Sequence, residues 1–393
     1  MEIVDQATAD DLVICLISGG PRYKPNRRMT ILIINWQDWH NRMAGGAEVY
    51  LYEIFSRLVQ RGHRVILLCS RDAGQSAREC RDGFEIIRLG RRSNFNFLAA
   101  AGLRRILRQT RVDVVIDDLN KIPFYSPLFT RTTVIGMPMH LFRRAIYQET
   151  NGLLATYVYL SERLIPLVYR RDPFIAISQS TADDLRDMGL VPAIHIIRSG
   201  RPRVPSRGRV ERDRNLVCYV GRVKAYKSID HFLRALAQVR AKRPIEAVVV
   251  GDGDARPGLE ELARRLEVPV RFTGFVPEEE KYRWYQRARI VVQPSIKEGW
   301  GLTVVEAQAC GTPVVCADSP GLREVVDNGR SGYLYPYGDI GALSERIAEL
   351  LDNDNTWNGF SRHALAWVDR FSWDHAADDM EAVLSQAVGR SGS

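Results

Sequence analysis

Glu298 and Glu306 stand eight residues apart in the stretch EGWGLTVVEAQACGTPVV, residues 298 to 315. Glutamate is common, and on spacing alone two solvated helix charges explain the pair. The setting argues for more. Glu298 falls in a loop directly after the β-branched run RIVVQPS, and LTVVEAQAC reads as a helix whose first turn is preceded by Gly299 and Gly301. Such a start aims the helix dipole and the free N–H groups from Gly301 through Leu302 to Thr303 at an anion. Glu306, on the second turn, is expected to face the same cleft, where it can accept hydrogen bonds from a ribose diol. Glu298 is expected to meet sugar hydroxyls beyond the phosphates.

Cations occur at a comparable place. The run LVCYVG ends in GRVKAYKS, residues 221 to 228, so that Gly221 is followed at once by Arg222 and, five residues later, by Lys227. Both belong at the carboxyl edge of a sheet, where α/β folds bind ligands. A guanidinium fork and an ammonium suit a diphosphate; two ordinary surface charges are the alternative. Earlier, Gly45 and Gly46 precede a helix opened by Ala47 and Glu48. This permits either close approach of an anion to backbone N–H groups or tight helix–strand packing. GDGDARPG (251–258) carries no cation suited to a phosphate and reads as a structural turn.

These residues need a frame to hold them. ILIIN (31–35), VILLCS (65–70), VDVVID (112–117), TVIGM (133–137) and FIAIS (174–178) read as buried parallel strands followed by helical patterns. RSGRPRVPSRGRVERDRN (198–215) breaks the rhythm. It restarts at LVCYVG (216–221), AVVVG, VRFTG, RIVVQP, TPVVCA and GYLYP. The expected class is α/β, with two doubly wound Rossmann-like domains facing across a cleft. Residues 29–200 form the first, 201–215 the linker and 216–375 the second. Residues 1–28 are an N-terminal appendage, and residues 376–393 a helix or tail that packs back on the first domain.

Composition agrees with a globular chain of two cores: 393 residues, 45% apolar and 26% charged. No apolar run reaches the length of about 20 residues needed to span a bilayer. The first residues lack the pattern of a secretory signal. Six cysteines without ligand spacing are read as free thiols of a reducing, cytoplasmic compartment. The formal charge of +8 is concentrated in the first half, above all in arginines from Arg57 to Arg111. That patch is compatible with a solvated surface or with an anionic membrane; no zinc-finger or RNA-recognition signature accompanies it, so nucleic acid is not expected as a partner.

Taken together, the motifs resemble the retaining GT-B glycosyltransferases of the family-4 type. The matching elements are GGAE (45–48), RGHRV (61–65), FIAISQSTADDL (174–185), SG (199–200), GRVKAYKS (221–228), VVVGDG (248–253), FTGFV (272–276), EGWGLTVVEA (298–307), CGTPVV (310–315) and SGYLYPYGD (331–339). The resemblance implies that Arg222 and Lys227 bind the donor diphosphate and stabilise charge on the leaving group, with no metal and no cofactor. It further implies that Glu306 holds the ribose and Glu298 the donor sugar. Gly45 and Gly46 would close over the phosphates. Gly221, Gly299, Gly301, Leu302 and Thr303 would line the donor site, while Phe275 and Val276 would line the base pocket. A UDP- or GDP-linked hexose would then pass, with retention, to a glycan, lipid-linked or other hydroxyl acceptor, in cell-envelope polysaccharide or glycolipid synthesis.

Three positions depart from the pattern. The family histidine near the sugar falls by register on Met139, whereas the histidine here is His140; the reading favours His140, with a packed core histidine as the alternative. Ser228 stands where glycine is usual. SGRP (199–202) replaces NGVD, so Arg201 receives no role. For the acceptor side, LLATYVYLSERLIPLVYRR (153–171) is either a helix buried against the first sheet or an amphipathic contact with the inner membrane face. Rival functions on the same scaffold are a nucleotide-sugar epimerase, a phosphorylase or a noncatalytic glycan-binding protein.

Overall fold

The computed structural model describes residues 28–41, 44–120, 122–190, 192–205 and 210–390. The expected appendage therefore lies, except for its last residue, outside the described residues.

Eight strands build the first sheet: β1 (Thr30–Ile34), β2 (Arg64–Cys69), β3 (Arg78–Arg81), β4 (Phe84–Arg88), β5 (Val114–Asp117), β6 (Thr133–Gly136), β7 (Phe174–Ala176) and β8 (Ile194–Ile196). Their order is β3-β4-β2-β1-β5-β6-β7-β8, and among the ladders of the described residues the β3–β4 pair alone is antiparallel. The second sheet holds β9 (Leu216–Val220), β10 (Glu246–Val250), β11 (Val270–Gly274), β12 (Ile290–Gln293), β13 (Val314–Ala317) and β14 (Gly332–Tyr335), in the order β11-β10-β9-β12-β13-β14. That order reverses between β9 and β12, and the crevice at such a reversal is where doubly wound folds take ligands. Continuous burial along LVCYV and VVCA reflects helices on both faces of the sheet.

The helices of the first domain are α1 (Gly46–Gln60), α2 (Phe95–Gln109), α3 (Gly152–Arg163), α4 (Ile165–Val168) and α5 (Gln179–Asp187). The second carries α6 (Ile229–Arg240), α7 (Arg256–Arg265), α8 (Glu278–Arg287), α9 (Leu302–Ala309), α10 (Leu322–Val325), α11 (Ile340–Asp352) and α12 (Asp354–Val368), and α13 (Trp373–Arg390) ends the described chain. The connection from β5 to β6 holds a short 3-10 turn, Ser126–Leu128, in place of the helix expected there.

Helix α13 lies against α1 of the first domain. Trp373 meets Tyr50 edge-on, and Arg57 and Arg61 donate to Asp374, Asp378 and Glu381. Gly200 permits the close approach of this helix start: a Cβ there would fall 2.2 Å from the Trp373 nitrogen. Much of the basic run is thus spent internally. Arg64 holds Glu85, and Arg88, nearly devoid of solvent contact, donates to Asp38 and pairs with Glu79. Cys69, Cys218, Cys310 and Cys316 are free thiols, whereas Cys80 on β3 is disulfide-bonded, which departs from the reading of free cysteines. No helix among the described residues is long and apolar enough to cross a membrane.

Candidate active site

Glu298 and Lys227 are brought together from opposite sides of the sheet reversal. Lys227 ends a 3-10 turn after β9, and its Nζ donates to Glu298 Oε1 at 2.5 Å. Gln293, the last residue of β12, donates to the same oxygen at 3.2 Å and to Thr303 Oγ1 at 3.4 Å. Burial alone would raise the Glu298 carboxyl, but the Lys227 charge and hydrogen bond outweigh it and hold the group below its ordinary value. The same pair carries Lys227 above its ordinary value against the effect of burial. Both groups are therefore charged at neutral pH.

The loop bearing Glu298 is fixed by backbone crowding. A Cβ on Gly299 would sit 2.2 Å from the Met139 carbonyl oxygen, and one on Gly321 would sit 2.3 Å from that of Glu298. Gly301, at φ 96, caps α9 in the left-handed region that glycine adopts without strain. The first N–H groups of α9, at Leu302 and Thr303, have no intrahelical acceptor and open toward the first domain. There the Gly45–Gly46 loop faces them: a Cβ on Gly46 would lie 3.8 Å from Leu302 Cδ2, and one on Gly45 would lie 4.0 Å from Arg222 Cζ. The Gly45 N–H itself is already given to Glu48 Oε2 at 2.7 Å, leaving fewer donors on this loop for an anion than the sequence suggests.

Arg222 is exposed, and its guanidinium makes no hydrogen bond or ion pair among the described residues; only its carbonyl is used, by the Tyr219 hydroxyl at 2.9 Å. It is a free cation at the mouth of the cleft. Its neighbour Gly221 has φ 151 and lets the GDG turn press against this loop, since a Cβ on Gly251 would meet the Gly221 carbonyl oxygen at 2.0 Å. The GDG turn is thus a packing feature.

Of the two residues competing for the family histidine position, Met139 is buried in the main core and His140 turns to the cleft. His140 Nε2 is buried without a hydrogen-bond partner, and the ring meets Phe142 at 4.4 Å. Burial pushes its pKa down to about 3, helped by Arg222, Lys297 and Lys227 and opposed by Glu298. It is a neutral imidazole whose Nε2 has no partner among the described residues.

Glu306 is buried, and its two oxygens accept from Lys281 Nζ at 2.8 Å and Tyr285 Oη at 2.7 Å on α8, which leaves one lone pair on each oxygen for a further donor. Phe275 projects 83% exposed after the Gly274 turn, with Val276 half-buried beside it, an apolar surface open to a planar ring. Ser228 adopts the left-handed conformation, φ 50, that explains the family's glycine; its hydroxyl bonds to Tyr337 Oη at 3.0 Å. Arg201 pairs with Asp369 on the surface, in keeping with its having no assigned role.

Several residues of the cleft were not anticipated. Gln293 is one, signalled only by a polar residue closing an apolar strand. Glu149 accepts from the Tyr226 N–H at 3.0 Å, beside Lys227. Asp118, directly after β5, is fully buried with both oxygens unpartnered among the described residues; burial, then Glu48 and Asp117, raise it well above the carboxylate range. Among the described residues no group of three or more His, Cys, Asp or Glu side chains could hold a metal ion.

Known proteins resemble this chain in sequence and in fold. Residues 201–367 match the family described as Glycosyl transferases group 1, and residues 44–202 match Glycosyltransferase Family 4. D-inositol 3-phosphate glycosyltransferase 2 of Catenulispora acidiphila is 38% identical over 188 residues, 45% of this chain and 44% of that protein. The D-inositol 3-phosphate glycosyltransferase of Mycolicibacterium smegmatis is 38% identical over 180 residues, 45% and 41% of the two chains. The chain thus matches less than half the length of these curated relatives. Among solved structures, sucrose-phosphate synthase from Thermosynechococcus elongatus superposes with a TM-score of 0.77 at 20% identity, covering 91% of this chain and 99% of that one. Anabaena HepE, in complex with UDP and glucose, gives 0.72 at 19% identity, covering 91% and 100%. With both halves matched in register and the two-domain fold shared, the chain belongs to the group 1, family-4-type glycosyltransferases and has the GT-B fold.

Proposed function

We propose that this chain transfers a hexosyl group from a UDP- or GDP-linked donor to a hydroxyl of a glycan or lipid-linked acceptor, with retention at the anomeric carbon and without metal. One observation carries the reading: the Lys227–Glu298 pair, the unpartnered His140 Nε2 and the free Arg222 guanidinium converge on one cleft opposite the Gly45–Gly46 loop. The UDP and glucose in the Anabaena HepE complex support a nucleotide-sugar donor of this kind. Arg222 and the α9 N-terminus receive the diphosphate, with Lys227 adding charge as the bond from the anomeric carbon to the phosphate oxygen breaks. Glu298 and neutral His140 bond the sugar hydroxyls. The acceptor oxygen attacks from the face the leaving group vacates, and its proton passes to the departing phosphate oxygen. Phe275 offers its face to the base, and Glu306 takes the ribose hydroxyls alongside Lys281 and Tyr285.

Titration calorimetry with UDP, GDP and ADP in EDTA tests the donor side. One nucleotide should bind clearly and be weakened in Glu306→Ala, and Arg222→Ala should cut transfer by about 100-fold or more while leaving the fold intact. Absence of binding by all three nucleotides, or undiminished turnover in Arg222→Ala, overturns the reading.

A further inference from the structure

The segment that follows the His140 loop is a surface strap with an unusual outer face. Helices α3 and α4 are nearly continuous, because Leu164 between them keeps right-handed helical angles. Their inner side is packed on the domain: Ala155, Val158 and Ile165 are buried in apolar clusters, with Ser161 and Glu162 buried beside them. The outer side carries Leu153 at 83% exposure, Tyr157, Leu160, Leu164 and Leu167 at 67%. At 3.6 residues per turn these five fall within an arc of about 80°. One face of the strap is thus packed on the first domain, while its apolar stripe turns outward and no described residue covers it.

Charge identifies what does. Arg163, Arg170 and Arg171 are exposed along the same segment. Its one glutamate, Glu162, is buried and accepts from the backbone N–H groups of Phe142 and Arg143 at 2.8 and 2.7 Å. A second copy would bring its own arginines to this face, and α3 and α4 themselves hold no exposed acid to answer them. An anionic bilayer supplies both the apolar depth for the leucines and the negative surface for the arginines. A strap of this length, about 25 Å, lies in the plane of an interface.

The strap is also tied to the cleft at both ends of its entry loop. Glu162 fixes the backbone two and three residues beyond His140, whose ring touches Phe142, and Glu149 holds the Tyr226 N–H next to Lys227. We propose that the α3–α4 strap docks this protein on an anionic membrane surface, holding the cleft beside the bilayer so that the acceptor hydroxyl is one carried by a membrane lipid. This deepens the transferase reading and rests on it for the acceptor.

The test is sedimentation of the full chain with phosphatidylcholine vesicles, with and without phosphatidylglycerol, beside nucleotide calorimetry and size-exclusion light scattering on the same samples. The chain should bind the anionic vesicles. Leu160→Asp with Leu164→Asp should weaken binding at least about tenfold, and Arg170→Glu with Arg171→Glu by a similar factor that vanishes at high salt. These positions are exposed, so nucleotide binding and thermal unfolding should stay as in the parent protein. No binding to anionic vesicles overturns the proposal, as does equal binding by the leucine variant. A dimer that the leucine variant converts to monomer assigns the face to a second copy and also overturns it. Vesicle binding without nucleotide binding sinks the transferase reading and leaves the docking face; nucleotide binding without vesicle binding does the reverse.

Discussion

Lys227 and Glu298 form an ion pair withdrawn from solvent, Nζ to Oε1 at 2.5 Å, with 9% and 13% of the side chains exposed. It joins the loop after β9 to the loop after β12 at the point where strand order reverses. A pair in this position does two jobs: it neutralises a buried carboxylate, and it poises an ammonium where a diphosphate would arrive.

Removing one partner strands the other in a poor dielectric. Lys227→Met and Glu298→Gln are each predicted to lower unfolding stability by about 3 kcal/mol or more, the range for breaking a buried pair. The double variant should cost less than the sum of the two singles, giving a coupling of about 2 kcal/mol in a urea-denaturation cycle. Additive single effects would mean that the pair is not coupled in solution. Transfer should be lost in all three variants.

His140 predicts a pH dependence with a definite sign. Its folded pKa is about 3, against about 6.5 for an ordinary histidine. Below pH 6.5 the unfolded chain takes up a proton that the folded chain refuses, so this contribution to stability is present above 6.5 and fades as pH falls toward 3. Between pH 7 and pH 5 the parent protein should lose about 1 to 2 kcal/mol more than His140→Asn. Equal losses would show His140 protonating freely. Activity should likewise carry no limb near pH 6 to 7 from this residue.

How much of this was written in the sequence differs from residue to residue. The strands were legible because buried parallel strands are continuous β-branched runs, and the cleft followed from which loops leave their carboxyl ends. The choice between Met139 and His140 was less legible: residues 137 to 139 are all buried and lie past the end of β6, so no strand period separates the two. The β3–β4 hairpin had a signal that went unread, Asp82-Gly83 between RECR and FEIIR, both at positive φ as a tight hairpin demands. Other features left no local trace. Nothing in LTVVEAQA indicates that Lys281 and Tyr285 from another helix occupy Glu306. The stripe from Leu153 to Leu167 shows that a helix has an apolar face, but periodicity does not say whether that face meets the sheet or the solvent.

A second interdomain contact makes cleft closure testable apart from chemistry. Glu324 on α10 of the second domain reaches the first turn of α5 in the first. One of its oxygens accepts from the Ser180 N–H and hydroxyl at 2.8 and 2.7 Å, the other from the Gln179 N–H at 2.8 Å. The Gly321 N–H donates in turn to Ser180 Oγ at 3.1 Å. A carboxylate on a helix N-terminus is favoured by the dipole as well as by the bonds. Because a Cβ on Gly321 would strike the Glu298 carbonyl oxygen, the latch packs directly against the Glu298 loop. Glu324→Ala removes the charge-assisted bonds without touching any group assigned to donor or acceptor. Loosening the closed form should raise the donor KM about tenfold or more, with a smaller change in kcat, because the competent population enters the apparent affinity directly. Small-angle scattering of the variant should show a larger radius of gyration that contracts on adding the nucleotide. A variant with parental KM and parental radius would show that the Glu324 contact follows closure and does not drive it.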